Sequence, residues 1–210
     1  MFFPKLSRKA AEHYHNRNGV FYANYRDNYK KIAEDCEHRC VYCDITIDEQ
    51  GGDEMHLDHF RPQEHFTNLS QNPFNLHLAC PKCNILKSSD WPCAKTTGAP
   101  SFIGARGYLD RFAHDVFNYL HIDNTGHLIA IGGPVKYMIG MLQLNRPARV
   151  NTRRKRILDA RRASLLNGIA RLTAKLESDK TQKKISENQI LKRQNLISEM
   201  IELLKISYDK

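Results

Sequence analysis

Hydrophobic and polar positions change their spacing several times along the chain, and each change marks an element. Apolar residues recur at helical intervals from Leu6 to Ile32 (Leu6, Ala10, Ala11, Tyr14, then Phe21, Tyr25, Tyr29 and Ile32). This spacing, with its polar interruptions, predicts one or two helices over residues 6–35 that pack on a core. Residues 44–60 hold Ile45-Thr46-Ile47, a Gly51-Gly52 pair and Met55-His56-Leu57-Asp58-His59-Phe60, which predicts a β-hairpin whose second strand ends at Asp58-His59. Pro73 to Leu78 reads as extended or turn-like, Cys83 to Lys87 as the start of a helix, and Trp91 to Gly107, rich in Pro, Gly, Thr and Ser, as a loop. A second hairpin is expected over Tyr119–Ile131 around the turn Asp123-Asn124-Thr125-Gly126, followed by a short apolar helix from Val135 to Leu144.

Beyond Pro147 the pattern is different. No further proline and one glycine, Gly168, occur before Tyr208, so long helix is the default, with Pro147 suited to its first turn. Ile169, Leu176, Ile190, Ile197 and Leu204 lie at multiples of seven from one another, and Leu158, Leu165 and Leu172 are offset from them by four. Asp179 and Lys183 interrupt this seam around Ser178–Gln182. A single helix of ~60 residues would be ~90 Å long. A helical hairpin turning near 178–184 is more compact and explains the interruption.

With 210 residues and 41% apolar content, the chain has room for one domain and an appended element. No apolar run approaches a membrane span. The start, Met1-Phe2-Phe3-Pro4-Lys5, has no export signal, so a cytoplasmic location is expected. Charge divides the chain near Asn145. Residues 1–145 carry 15 Lys+Arg against 16 Asp+Glu, and residues 146–210 carry 17 against 7, so the net +9 lies wholly in the last third. Two segments are expected: 1–145, and a basic helical extension over 146–210. Arg146, Arg149, Arg153, Arg154, Lys155, Arg156, Arg161 and Arg162 crowd into 17 residues. Such self-repulsion is relieved by a polyphosphate backbone, which points to a nucleic-acid partner.

Six cysteines without an export signal argue against a disulfide framework. Cys40-Val41-Tyr42-Cys43 and Cys80-Pro81-Lys82-Cys83 are two C-x2-C pairs 36 residues apart, the spacing of two knuckles that complete a tetrahedral sulfur shell around structural Zn²⁺. Cys36 stays open as a competitor for the place of Cys40, and Cys93 reads as an ordinary thiol. Between the knuckles, Asp58 offers a hard carboxylate for Mg²⁺, and Asn84 offers a side-chain oxygen held by the second knuckle. His59 offers an imidazole as a hydrolytic base, although regular strand alternation turns it away from Asp58. His56 shares the Asp58 face. His77, between Leu76 and Leu78, is expected to be packed, and His65 to be a bystander.

The order Cys40-x2-Cys43, Asp58-His59-Phe60-Arg61-Pro62, Asn75-Leu76, Cys80-x2-Cys83-Asn84-x2-Lys87 resembles the HNH endonucleases over about residues 36–90. The resemblance implies an α+β fold: a small zinc-stapled ββα-metal core of the HNH (His-Me finger) kind, with N-terminal helices and a long helical C-terminal extension. It implies that His59 is the general base and that Asp58 and Asn84 hold a catalytic Mg²⁺ or Mn²⁺. Asn75 would tie the loop bearing His59, and Lys87 would lie near the scissile phosphate. Arg61 is a further expected nucleic-acid contact, and in the basic cluster Arg153, Arg154 and Arg156 are expected to meet nucleic acid or, alternatively, an acidic surface on the partner ATPase.

Tyr108-Leu109-Asp110-Arg111, the turn at Asp123–Gly126 and Met141–Asn145 before a basic helix are similar to HNH proteins of the Septu antiphage type, which pair with an ATPase and also occur beside retron reverse transcriptases. Those motifs often read Glu-His and Pro-Lys. Here Asp58-His59 keeps the carboxylate, and Pro62-Gln63 removes one cationic contact. The resemblance thus implies an antiphage nuclease with an ATPase partner, acting on nucleic-acid phosphodiesters, with DNA ahead of RNA as the expected partner. The alternatives are a non-catalytic zinc-dependent nucleic-acid-binding or assembly subunit, and a tRNA-directed nuclease.

Overall fold

Two four-residue strands, β1 (His56–His59) and β2 (Leu76–Ala79), run antiparallel with Asp58 opposite His77 and His59 opposite Leu76. They form the centre of a computed structural model that describes residues 2–52, 54–182 and 184–208. Every residue of β2 is buried, because the sequence Leu-His-Leu-Ala is covered on both faces. Helix α1 (Tyr29–Asp35) packs on β2, and helix α2 (Pro81–Lys87) packs on β1. This is a ββα unit.

The hairpin expected over 44–60 does not form. Ile45 is used to close the first cysteine turn, its carbonyl accepting from Cys40 N at 2.9 Å. Thr46 and Glu49 then exchange bonds, Thr46 N to Glu49 Oε2 at 3.0 Å and Glu49 N to Thr46 Oγ1 at 3.2 Å, a reciprocal cap that winds Asp48–Gln50 into a 3₁₀ turn. Strand β1 therefore finds its partner downstream, across the loop 60–75. The N-terminal helices are also shorter than the spacing suggests, with 3₁₀ turns at Ala11–Tyr14 and Tyr25–Asn28 before α1. Asparagines break the run. Asn16 Oδ1 accepts from Asn18 N at 2.8 Å, and Asn24 Oδ1 from Arg26 N at 3.2 Å, offering the backbone an alternative to helix.

The N-terminal strand of chain is nonetheless pinned. Arg8 reaches Asp35 at 3.2 Å, bonds the Leu76 carbonyl, and lies 3.7 Å over the Phe112 ring. Arg111 is buried behind the first cysteine turn and donates to Pro4 O at 2.6 Å and Val41 O at 3.3 Å. These bonds account for Arg111 being internal, since each returns part of the solvation its charge loses.

The segment 91–107 is mostly loop, but it contains a tight pair, β3 (Phe102–Ile103) with β4 (Arg106–Gly107). Gly107 has φ 124°, and a Cβ there would lie 2.3 Å from Ser101 O, so only glycine fits. The expected second hairpin is present as β5 (Leu120–Ile122) and β6 (Leu128–Ala130), with Asp123 Oδ1 accepting from Thr125 N at 2.8 Å and His127 N at 2.9 Å. Helix α3 (Val135–Met141) follows.

By contacts the chain divides into residues 1–152 and 153–210, so the first turns of helix α4 (Pro147–Thr181) belong to the first unit. In the second unit, α5 (Glu187–Tyr208) returns along α4. Asp179 pairs with Arg193, and a Cβ on Gly168 would come within 2.8 Å of Met200 Cε. These two contacts bring α5 back against α4, and Gln182 and residues 184–186 are the described residues between the helices. Ser186 N donates to Gln189 Oε1 at 3.0 Å, half of a capping box that starts α5. Lys183 lies outside the described residues. No described helix is long and apolar enough to cross a membrane.

His77 stacks on Phe60, ring centroids 4.7 Å apart, and is fully packed as its flanking leucines suggested. Burial lowers its pKa well below the ordinary value, with Arg8, Lys87 and Arg111 adding to the effect. The unfolded chain takes up a proton near pH 6.5 that the folded chain refuses, so stability falls as pH falls through that range, by up to about 1.4 kcal/mol per pH unit. His77→Leu removes this term. Melting curves between pH 7.5 and 5.5 should show a smaller acid-induced drop in Tm for the variant than for the parent, whereas parallel curves would rule out a buried neutral imidazole.

Candidate metal centre and adjoining cleft

The two cysteine turns meet. Cys40, Cys43, Cys80 and Cys83 are buried, and their sulfurs all lie within 4.8 Å of one another, with Cys43 and Cys80 at 3.7 Å. A disulfide would need about 2.05 Å. An S4 tetrahedron with bonds of about 2.3 Å has edges of about 3.8 Å, so the spacing fits a shared ion and the donor set fits Zn²⁺. Backbone bonds build the arrangement. Val41 N donates to Leu78 O at 2.9 Å, fastening the first turn to β2. Cys80 caps α2, with Pro81 at its first position, and its carbonyl accepts from Asn84 N at 3.0 Å.

Burial pushes the Cys40 thiol well up, while hydrogen bonds from Cys40, Cys43 and Cys83 pull Cys80 down. A soft divalent ion resolves this by holding all four as thiolates. Cys36 is not part of the cluster. It accepts from Leu78 N at 3.4 Å, and burial pushes its thiol up to about 11. Cys40 therefore takes the place for which the sequence had left two candidates.

Next to this centre lies a cleft of about 320 Å³ lined by Tyr25, Asp58, His59, Gln63, Asn84 and Ser88, among others. Asp58 and His59 alternate along β1, yet both reach the cleft because the strand ends at His59 and the cleft wraps that end. His59 Nε2 lies 2.9 Å from Ser70 O. A carbonyl only accepts, so Nε2 carries the proton and Nδ1 is left as the basic atom. The Tyr25 ring packs edge-on against the imidazole at 4.8 Å. Asn84 Nδ2 sits 3.1 Å from His56 Nδ1, and His56 lines a neighbouring pocket with Tyr29 and Glu54, not this cleft.

Asp58 is supported from within. Tyr42 donates its hydroxyl to Oδ2, and Lys87 Nζ lies 3.1 Å from Oδ1. Each carboxylate oxygen keeps a second lone pair. Asp58 and Asn84 together offer hard oxygen donors of the kind Mg²⁺ or Mn²⁺ takes.

Asn75 holds the loop between the strands. Its Oδ1 accepts from Arg61 N and its Nδ2 donates to Arg61 O, both at 2.9 Å, so one side chain pairs with the backbone as a strand would. Ser70, which orients His59, lies on that same loop.

Several expected contacts to phosphate differ from the geometry found. Lys87 is fully buried, and its Nζ also donates to His59 O at 2.8 Å. Helix α2 packs with that face against β1, so the ammonium lies beneath the cleft. Arg61 donates to Ala99 O at 2.6 Å, with its guanidinium 5.0 Å from the Trp91 centroid. That head is occupied by the 91–107 loop. Arg153 is buried, Arg156 half-buried and Arg154 exposed.

Three participants were not foreseen: Tyr42, Tyr25 and the Ser70 carbonyl. Tyr42 was visible as an aromatic inside the first C-x2-C turn. Nothing in the local sequence marks the other two.

Two outcomes are expected. Purified chain should hold one zinc, and Cys80→Ser should lower the yield of folded protein, because metal binding and folding of this core are coupled. Metal analysis finding a folded, zinc-free chain would contradict this. Lys87→Met should be strongly destabilising, by about 3–5 kcal/mol, because it leaves the buried Asp58 carboxylate without its cation. Denaturant unfolding measures it, and a loss under 1 kcal/mol would mean that Lys87 carries no structural burden.

The HNH endonuclease family model matches residues 40–90. The chain is 38% identical over 63 residues to Septu protein PtuB of Bacillus thuringiensis, an alignment covering 29% of this chain and 24% of that protein. The match thus spans about a quarter of the relative's length. No solved structure matches. The stretch that matches the HNH endonuclease family model, residues 40–90, holds both cysteine pairs, both strands and every cleft residue named above except Tyr25, and its four-cysteine cluster fits the zinc-knuckle type.

Proposed function

We propose that this chain is a metal-dependent endonuclease that hydrolyses phosphodiester bonds of DNA, and that it works with an ATPase partner as the effector of an antiphage system. The observation that carries the reading is the meeting of His59, Asp58 and Asn84 at one cleft, with the His59 tautomer set by Ser70 O. Likeness to an antiphage Septu protein supports the defence role.

In this reading His59 takes the proton of the attacking water at Nδ1, since Nε2 is engaged by Ser70. Asn75 keeps the loop carrying Ser70 closed, so the imidazole does not turn. Asp58 and Asn84 would hold a Mg²⁺ or Mn²⁺ ion, whose chemistry there would be Lewis-acid stabilisation of the phosphodiester's developing charge. Tyr42 and Lys87 orient Asp58 from the interior. The tetracysteine cluster, which would hold zinc, keeps α2, and hence Asn84, in place against β1. The exposed Arg154 and Lys155 on the basic extension add sequence-independent attraction for the phosphate backbone. Apolar side chains left exposed on the helical hairpin, such as Leu166 and Leu191, are suited to a protein partner.

The test is cleavage of plasmid, single-stranded DNA and total RNA with Mg²⁺ or Mn²⁺, with and without a candidate ATPase. His59→Ala should lower the rate ~10²–10⁴-fold while zinc content and nucleic-acid binding stay at parental levels. A His59→Ala chain that cuts as fast as the parent would remove the catalytic assignment.

A further inference from the structure

Two cations of the basic cluster are turned toward the metal centre. Arg146 Nη2 lies 3.8 Å from Cys43 Sγ, 3.6 Å from Cys80 Sγ and 3.6 Å from Cys83 Sγ, so it sits over the face formed by three of the four sulfurs. Arg149 Nη2 lies 3.7 Å from Cys80 Sγ. Arg146 Nη1 meanwhile donates to Leu142 O at 3.1 Å and Gln143 O at 3.2 Å, the carbonyls just past α3. The same guanidinium thus joins the end of α3 and the sulfurs to the start of α4.

We propose that Arg146 and Arg149 are outer-sphere partners of the tetracysteine metal site, neutralising its thiolates and fastening the first turn of α4 to it. Four thiolates around one divalent ion leave a surplus of roughly two negative charges. That surplus is buried, and a buried charge without a partner is expensive. Two guanidiniums at N–H···S distance balance it. Guanidinium suits the role because its fixed fork addresses sulfur and backbone carbonyl together, which a lysine ammonium does not. Arg146 and Arg149 are three apart on one helical face with buried Val150, while Arg154 and Lys155 face solvent. The crowding of cations at the root of α4 therefore has two causes: one face serves the metal, and the other serves whatever polyanion the extension meets.

The proposal does not depend on nuclease activity. It is tested on the full chain by zinc release to a chromogenic chelator and by the spectrum of the cobalt(II)-substituted protein. Arg146→Gln and Arg149→Gln should each speed zinc release, with the double variant about 10–100-fold faster than the parent. Removing an N–H···S contact makes the thiolate a better electron donor, so the sulfur-to-cobalt charge-transfer band should move to longer wavelength. Arg146→Lys should retain part of the charge effect and lose the fork. Lys155→Gln, on the solvent face, should leave both readouts unchanged. If Arg146→Gln does not fold, Arg149→Gln, with its single sulfur contact, still gives the band shift. Release rates and band positions equal to the parent in the Arg149 and Arg146 variants would overturn the proposal, as would a shift of equal size in Lys155→Gln.

Discussion

The convergence of four sulfurs is the constraint on which the rest of residues 1–152 depends. It closes residues 40–43 onto residues 80–83, and everything chemically interesting lies in the loop so closed. Strands β1 and β2 are only four residues each, too short to be stable alone in water. Tied at one end by the Val41–Leu78 bond and by the cysteine cluster, they hold register because a one-residue slip would pull the knuckles apart.

A second layer of support is built from buried polar groups, each with a partner. Lys87 and Tyr42 hold Asp58; Asn75 holds Arg61; Ser70 holds His59. Such networks discriminate between geometries more than they add stability, because removing one member leaves another unsatisfied in low dielectric. The cleft residues are thereby fixed before any substrate arrives, which is what electrostatic catalysis requires. Lys87, Arg61, Arg111 and Arg8 are turned inward and stabilise the scaffold, whereas Arg26 and Lys82, like Arg154 and Lys155 on the helical extension, are exposed.

The extension obeys different rules. Among the described residues its two helices meet where Asp179 pairs with Arg193 and where Gly168 lies under Met200, and many apolar side chains stay exposed. A surface of this kind is expensive in water unless another molecule covers part of it. Its root is a different matter, since Arg146 and Arg149 tie it to the sulfurs.

What the sequence by itself determined was the set of contacts that follow from residue type and short spacing. C-x2-C twice made the metal centre legible, Asp123-Asn124-Thr125-Gly126 made the β5–β6 turn legible, and the run without proline after Pro147 made the helical hairpin legible, because in each case the physics is local. The cleft was legible as Asp58, His59 and Asn84 only through resemblance to a known motif. Long-range pairing was decided by the tertiary structure. Strand β1 reads equally well as half of a hairpin with Ile45–Ile47, and only the cysteine turn, which takes Ile45's carbonyl, sends it to β2. The fate of each cation was likewise invisible in composition. Lys87, Arg61 and Arg146 look like phosphate ligands in a basic chain, yet burial against Asp58, Trp91 and the thiolates gives them other partners, because a charge removed from water takes whichever counter-charge, carbonyl or ring the fold brings within reach.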